Sequence, residues 1–323
     1  MGTATSKKSQ DKSQKIKFIG TDEFRKQLKK IDISIPMHGW KLGELLYCTE
    51  KVRVYSVTHK DYIGDTKWVI KLDWFNLMEH EIRTKLIQKM STFIPGIPPA
   101  PLPNYITEES GLSGLVMERC DSILKEGNIY DIKTVKTVGI RILYALEELH
   151  KICFVNHGDL AIPNLGCRNG DINETVLLDM GGTHHFSKNF ILFRGPSRAL
   201  YSSVSQHCFY YTHPTDDIES LIYLLALLLR GNLPWSGYPL IVDEEESTID
   251  MKNDPVVIMK REILDRKTIL YDSSFFIKFV DELQNQRKNC GLYDIRTTPK
   301  LGDLKIIDIT INYDAFRSIL REE

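Results

Sequence analysis

The sequence predicts an α+β protein built as two lobes, a small β-rich one followed by a larger helical one. Three observations predict it. Residues 40–73 carry three strand-like runs, WKLGELLY, VRVYSVTH and KWVIKLDW, separated by polar or glycine-containing turns. Residues 134–151 and 217–229 read as helices, with two or three more before residue 323. Between the two regions runs FIPGIPPAPLPNY, whose prolines neither a helix nor a central strand accepts.

In chain order, residues 1–17 hold five lysines and one aspartate and cannot bury a core, so a disordered basic tail is expected over 1–20. Removal of Met1 would expose Gly2, with Ser6 at the hydroxyl position of M-G-x-x-x-[ST] and Lys7 and Lys8 beside it, the pattern of an N-myristoylation signal. One acyl chain holds a membrane only marginally; lysines drawn to anionic lipid, each worth about 1 kcal/mol near the surface, supply the second signal. An anionic membrane surface is therefore an expected partner of the tail, with an ordinary solvated segment as the alternative. Residues 21–321 make the folded body, the small lobe over about 38–118 and the large one over about 119–321. The runs at 40–73 form an antiparallel meander, and a helix is expected over 76–90. The P-x-x-P spacings of Pro95, Pro98 and Pro101 read as a stiff interlobe loop rather than a ligand for an aromatic groove. SGLVMERC is a short buried strand. LIYLLALLL is a buried helix, since its nine residues fall far short of the roughly 20 that cross a bilayer. The DEEE run at 243–246 reads as a solvated loop.

With 42% apolar and 26% charged residues the chain is a folded globular protein, not a disordered one. Its net charge of -1 leaves nothing global to wrap a polyanion, so no specific nucleic acid is expected. Cys48, Cys120, Cys153, Cys167, Cys208 and Cys290 form no C-x-x-C, which argues against a zinc site and a disulfide scaffold. Reduced thiols point to the cytoplasm, membrane-associated if Gly2 is acylated, with the nucleus also compatible. His184 and His185 are adjacent, so they point apart, and no third metal ligand accompanies them.

The chemistry concentrates in NHGDLAIPNLGCRNGDINETVLLDMGG, residues 156–182. Asp159, Asn164 five residues on and Asp179 fifteen beyond that are a set that phosphoryl transfer needs. One acid orients the attacking hydroxyl, while an Asn and a second Asp hold the magnesium that neutralises the transferring phosphate. Upstream, Lys71 inside the strand WVIKLD can reach nucleotide phosphates, and Glu81 on the following helix can position it.

These residues, in this order and each in the expected element, resemble the protein kinase fold. RALYSSVSQH, then DIESL, then LLRGNLPWSGY with Trp235 resemble the casein kinase 1 and vaccinia-related kinase group, and INYDAFRSIL with Tyr313, Phe316 and Arg317 is similar to that group's last helix. G-I-P at 96–98 resembles casein kinase 1, whereas H-G-D resembles vaccinia-related kinases. The resemblance covers residues 40–321. It implies a bilobal fold with ATP and Mg2+ in the interlobe cleft, a hinge at 117–120 with Met117 and Arg119 at the nucleotide, His157 and Asp217 supporting the catalytic loop, and a protein as substrate or regulated partner. Aminoglycoside and choline phosphotransferases share H-G-D-L-x-x-x-N, but Asp217 in DDIESL and the following GNLPW favour the protein kinase side.

Several positions depart from that pattern. YCTEKV stands where the family places G-x-G-x-x-G, and no glycine lies between Gly43 and Gly64, so the backbone lacks the residue that approaches phosphates cheaply; Glu50 adds a repelling charge. Ala161 replaces the catalytic-loop lysine, a loss that commonly costs about 10²- to 10³-fold in rate. Arg198 aligns with a small threonine near Asp159, where it either replaces that cation or pairs with the acid. Asn156 reads as a one-residue insertion, Gly158 removes the arginine that reads an activation-loop phosphate, and Pro214 and Thr215 replace an anion-binding basic pair. Two readings stand: a pseudokinase that regulates or scaffolds, and an active atypical Ser/Thr kinase.

Overall fold

The structure is a computed structural model that describes residues 39–49, 52–62, 64, 67–73, 96–97, 105–107, 113–185, 200–208, 213–238, 253–290 and 311–322. The basic tail with Gly2, the expected helix at 76–90 with Glu81, the P-x-x-P prolines, Arg198 and the acidic run lie outside the described residues.

The predicted meander forms as β1 (Trp40–Cys48), β2 (Val52–His59) and β3 (Trp68–Asp73). β4 (Tyr105–Thr107) and β5 (Ser113–Glu118) complete an antiparallel sheet in the order β1-β2-β3-β5-β4. Strand alternation gives it two faces. Trp40, Val57, Ile70, Leu72 and Val116 bury on one, where the rings of Trp40 and Tyr62 stack 5.3 Å apart. Val69, Leu115 and Met117, with Leu46 and Val54, make a second apolar cluster. The register Val69↔Met117 and Lys71↔Leu115 sets Lys71 on that second face, beside an apolar wall.

The large lobe opens with β6 (Ser122–Ile123) and α1 (Ile132–Glu148). α1 starts two residues before the expected 134 because Asp131 caps it, accepting the Thr134 N–H at 3.0 Å. Its regular part stops at Glu148, not at 151: residues 149–153 form a π-helical turn in which the Phe154 N–H reaches the Leu149 carbonyl five residues back. Such a turn holds one more residue than an α-helical one.

Beyond it come β7 (Val155–Asn156), β8 (Leu165–Cys167), β9 (Thr175–Leu177) and β10 (His184–His185). β6-β8-β9 form one small sheet and β7 pairs with β10, so His184 and His185 belong to a strand. α2 (Val204–His207), α3 (Pro214–Arg230), α4 (Pro255–Leu264), α5 (Ser274–Asn289) and α6 (Tyr313–Arg321) follow. α3 begins at Pro214, ahead of the expected 217, because proline suits a first helical turn and His213 caps it by accepting the Thr215 N–H at 3.1 Å. Pro214 and Thr215, which replace the anion-binding pair, are buried in that turn. Every α3 residue from Pro214 to Leu228 is buried; α1 and α5 pack against it, and α6 packs on α1 and α5. Arg287 of α5 is sunk among α3 carboxylates, 3.0 Å from Asp216 and 2.6 Å from Glu219. No described helix is long and apolar enough to cross a membrane.

Candidate functional site

The loop between β7 and β8 carries His157, Asp159 and Asn164, and α3 holds it from below. Asp217, buried in α3, accepts the His157 N–H at 2.7 Å and the Gly158 N–H at 3.0 Å. Burial acts to raise this carboxyl, and the hydrogen bond from His150, with His157 and the Gly158 amide, outweighs it and holds Asp217 below the usual carboxylate value. The side chain of His157 ties the loop to the strand end opposite: its Nε2 donates to the Leu178 carbonyl at 3.0 Å, and its Nδ1 accepts the Asp159 N–H at 3.2 Å. Gly158 sits at φ +74°, a left-handed conformation that an L side chain adopts only at a cost.

Asp159 and Asn164 are joined directly. Asn164 Nδ2 donates to the Asp159 carbonyl at 2.8 Å and to its Oδ2 at 3.1 Å. The pairing Leu165↔Leu177 and the Leu178 N–H bond to the Asn164 carbonyl, 2.8 Å, bring Asn164 alongside the β9 exit that carries Asp179. Asp179 is itself left-handed at φ +57°, and its Oδ1 accepts the Gly181 N–H at 3.2 Å. A Cβ added at Gly182 would stand 3.2 Å from the Asp159 Cβ, so a small residue there lets the segment after Asp179 lie against the loop.

Lys71 comes to this cluster from β3: its Nζ lies 2.7 Å from Asp179 Oδ1. Enclosure works to raise Asp179, while the charge and hydrogen bond of Lys71 lower it more, and its carboxyl stays below the ordinary range. With Oδ1 taken by Lys71 and Gly181, and Asn164 Nδ2 taken by Asp159, a carboxylate oxygen of Asp179 and the amide oxygen of Asn164 remain as hard oxygen donors. Asp179 is 43% exposed, so its carboxylate is open to a ligand, while Asn164 is buried beside it. That set fits magnesium. Among the described residues no group of three or more His, Cys, Asp or Glu side chains is placed to hold a metal ion.

At the hinge, Met117 lines the apolar wall and the Arg119 N–H donates to the Lys67 carbonyl at 2.8 Å. What Arg119 offers a base is therefore its carbonyl rather than its amide. Glu118 is held by Arg168 Nε at 2.8 Å, a contact that clamps the hinge strand to the large lobe. Where β1 ends and β2 begins, the Thr49 N–H donates to the Val52 carbonyl and the Val52 N–H to Thr49 Oγ1, both at 2.9 Å. Ala161 is fully buried.

Of the residues singled out in the sequence, the structure links Lys71 to Asp179, His157 to Asp217 and Asn164 to Asp159, while Met117 lies on the Lys71 face of the sheet and Arg119 just beyond β5. Sequence reading missed three supports. Gln206 Nε2 donates to the Gly158 carbonyl at 3.1 Å, so both backbone groups of Gly158 are held. His150 reaches Asp217 at 2.9 Å. Lys260, fully buried, donates to the Ser202 carbonyl at 2.6 Å beneath the Tyr223 and Trp235 rings. Only the S-x-x-Q spacing of Ser203 and Gln206, which forms a capping box, was readable in advance.

No family model matches the chain. Casein kinase 1-like protein HD16 of Oryza sativa subsp. japonica is 35% identical over 127 residues, 35% of this chain and 17% of that protein. A putative serine/threonine-protein kinase of Caenorhabditis elegans is 28% identical over 205 residues, 55% of this chain and 57% of that protein. Casein kinase I homolog 1 of Saccharomyces cerevisiae is 27% identical over 165 residues, 46% of this chain and 30% of that protein. The match spans less than two thirds of each relative's own length. Among solved structures, vaccinia related kinase 3 superposes with a TM-score of 0.59 at 18% identity, covering 87% of this chain and 85% of that one. The chain thus has the two-lobed protein kinase fold, and its sequence is similar to casein kinase 1-like proteins.

Proposed function

We propose that the chain is a pseudokinase: a kinase-fold module that takes magnesium nucleotide in its cleft, transfers phosphate poorly or not at all, and acts through contact with a protein partner. The observation that carries this reading is the Thr49–Val52 pairing. Its Val52 amide is already spent on Thr49 Oγ1, and no glycine stands there to let the backbone close on phosphates. The buried methyl of Ala161 supports the same reading, since it supplies no cation to a developing charge.

Nucleotide binding asks for less. Val69, Leu115 and Met117 offer an apolar surface for a base, Lys71 a cation for phosphates, and Asn164 and Asp179 the oxygens for Mg2+. Bound magnesium would neutralise phosphate charge. Transfer of γ-labelled ATP onto the chain itself and onto a casein and histone mixture, beside an Asp159→Asn control, tests the proposal. We expect no transfer above the control and a melting shift with millimolar Mg-ATP that Lys71→Met abolishes. Transfer that disappears in Asp159→Asn would instead establish the active Ser/Thr kinase reading, which the intact Lys71–Asp179 and Asn164–Asp159 contacts favour. Acylation of Gly2, with membrane association of an otherwise cytoplasmic protein, is the accompanying proposal for the tail. Intact mass from a eukaryotic host decides it, and an unmodified N-terminus ends it.

A further inference from the structure

Tyr313, the first residue of α6, is 2% exposed, and its hydroxyl meets His150 Nδ1. On the other side of the imidazole, His150 Nε2 lies 2.9 Å from Asp217 Oδ2, the same oxygen that accepts the His157 N–H; Oδ1 takes the Gly158 N–H. A carboxylate only accepts, so Nε2 carries a hydrogen; in the neutral imidazole Nδ1 then accepts and the Tyr313 hydroxyl donates. Burial, with the charge of Asp217 behind it, keeps that phenol protonated by pushing it well above its ordinary value. A continuous buried chain of hydrogen bonds thus runs from α6 through the π-helical turn and α3 to the loop that carries Asp159. The hydroxyl is not what docks the helix. Arg317 binds Glu147 at 2.5 Å and Asp314 at 2.7 Å, and Phe316 and Leu320 are buried.

We infer that Tyr313 is a positioning residue for the 157–164 loop, acting through the tautomer and orientation of His150 on Asp217. Its functional meaning rests on the nucleotide reading of the cleft, but its structural readout does not. His150 sits in the π-helical turn that follows α1. One of its nitrogens alone cannot fix the ring plane; a donor on the other can.

The test compares the full chain with Tyr313→Phe, which keeps the ring and removes the hydroxyl, and with Arg317→Gln, which loosens α6 without touching the chain of bonds. In wild type, nitrogen-15 shifts of His150 should report the Nε2–H tautomer. Tyr313→Phe should mix the tautomers, speed amide exchange at His157 and Gly158 about tenfold, the loss of one buried hydrogen bond, and weaken Mg-ATP severalfold. Arg317→Gln should lower the melting temperature without that loop-selective exchange. An Nδ1–H tautomer in wild type, unchanged loop exchange in Tyr313→Phe, or the same loop-selective exchange in Arg317→Gln would each overturn the inference. If Tyr313→Phe does not fold, the wild-type tautomer decides. Exchange as expected in a chain that binds no Mg-ATP would support the positioning role and overturn only the nucleotide reading.

Discussion

Lys71 Nζ and Asp179 Oδ1, 2.7 Å apart, form an ion pair between the small lobe's sheet and the segment that offers a metal its carboxylate. On the proposed nucleotide reading, the cation that pairs with the carboxylate would also serve a phosphate. Lys71→Met should therefore weaken Mg-ATP by about 10- to 100-fold, the worth of a charge-assisted contact, as read by titration calorimetry. Asp179→Ala should remove the magnesium dependence of what binding remains. The pair also has a pH signature. A carboxyl lowered in the fold contributes stability in full above its unfolded value of 3.8, and loses it as pH falls through the lowered folded value.

Gly158→Arg, which restores the residue common at that position, should destabilise rather than repair. The residue occupies φ +74° with its N–H on Asp217 and its carbonyl on Gln206. A side chain forced into that conformation costs about 1–2 kcal/mol, measurable as a shift in the urea midpoint at unchanged slope.

Arg287→Met should be the most damaging of these substitutions. It leaves Asp216 and Glu219 buried without their cation, a loss of about 3–5 kcal/mol. Burial already pushes Asp216 up to about 6 against the pull of Arg287. A carboxyl raised in the fold holds a proton that the unfolded chain releases, so acid favours the fold. The deficit of the variant should shrink as pH falls from 7 toward 5, followed by thermal unfolding at each pH.

Lys260 reverses the sign in alkali. Burial lowers it to about 7, against the nearby Glu219 and Asp254 charges, while the unfolded chain holds its proton up to 10.5. Between those values the unfolded state binds more protons, so stability rises with pH. Wild type should gain stability from pH 7 to 9 relative to Lys260→Met, in which this slope is absent. Equal slopes in paired denaturant titrations would show that the amine stays charged in the fold.

Much of this was legible because strand alternation and polar spacing are local. The runs at 40–73 became β1, β2 and β3, Asn164 came to hydrogen-bond Asp159, and the β8–β9 pairing set Asn164 beside the strand end that leads to Asp179. Helix starts shifted where caps decide them, at Asp131 and His213, since periodicity marks a face and not an end. Gln206, His150 and Lys260 stayed hidden for a different reason. Each acts on a backbone group or carboxylate at 48, 67 or 58 residues' remove, and no spacing within a helix announces where a buried polar side chain will land.

The docking of α6 carries a consequence for how the protein assembles. Its ties reach back 163 residues from Tyr313 to His150, 170 from Arg317 to Glu147 and 177 from Arg321 to Tyr144. Contacts so distant repay the entropy of closing the chain only after everything between them has condensed. α1 and α3 can pair early, whereas the groove where Leu320 lies against Gly139 must wait, open and apolar, for a nine-residue helix to arrive. The final rate of acquiring native structure is then set at the end of the chain farthest from the sheet, and a lesion in α6 would be felt first as sluggish, aggregation-prone maturation.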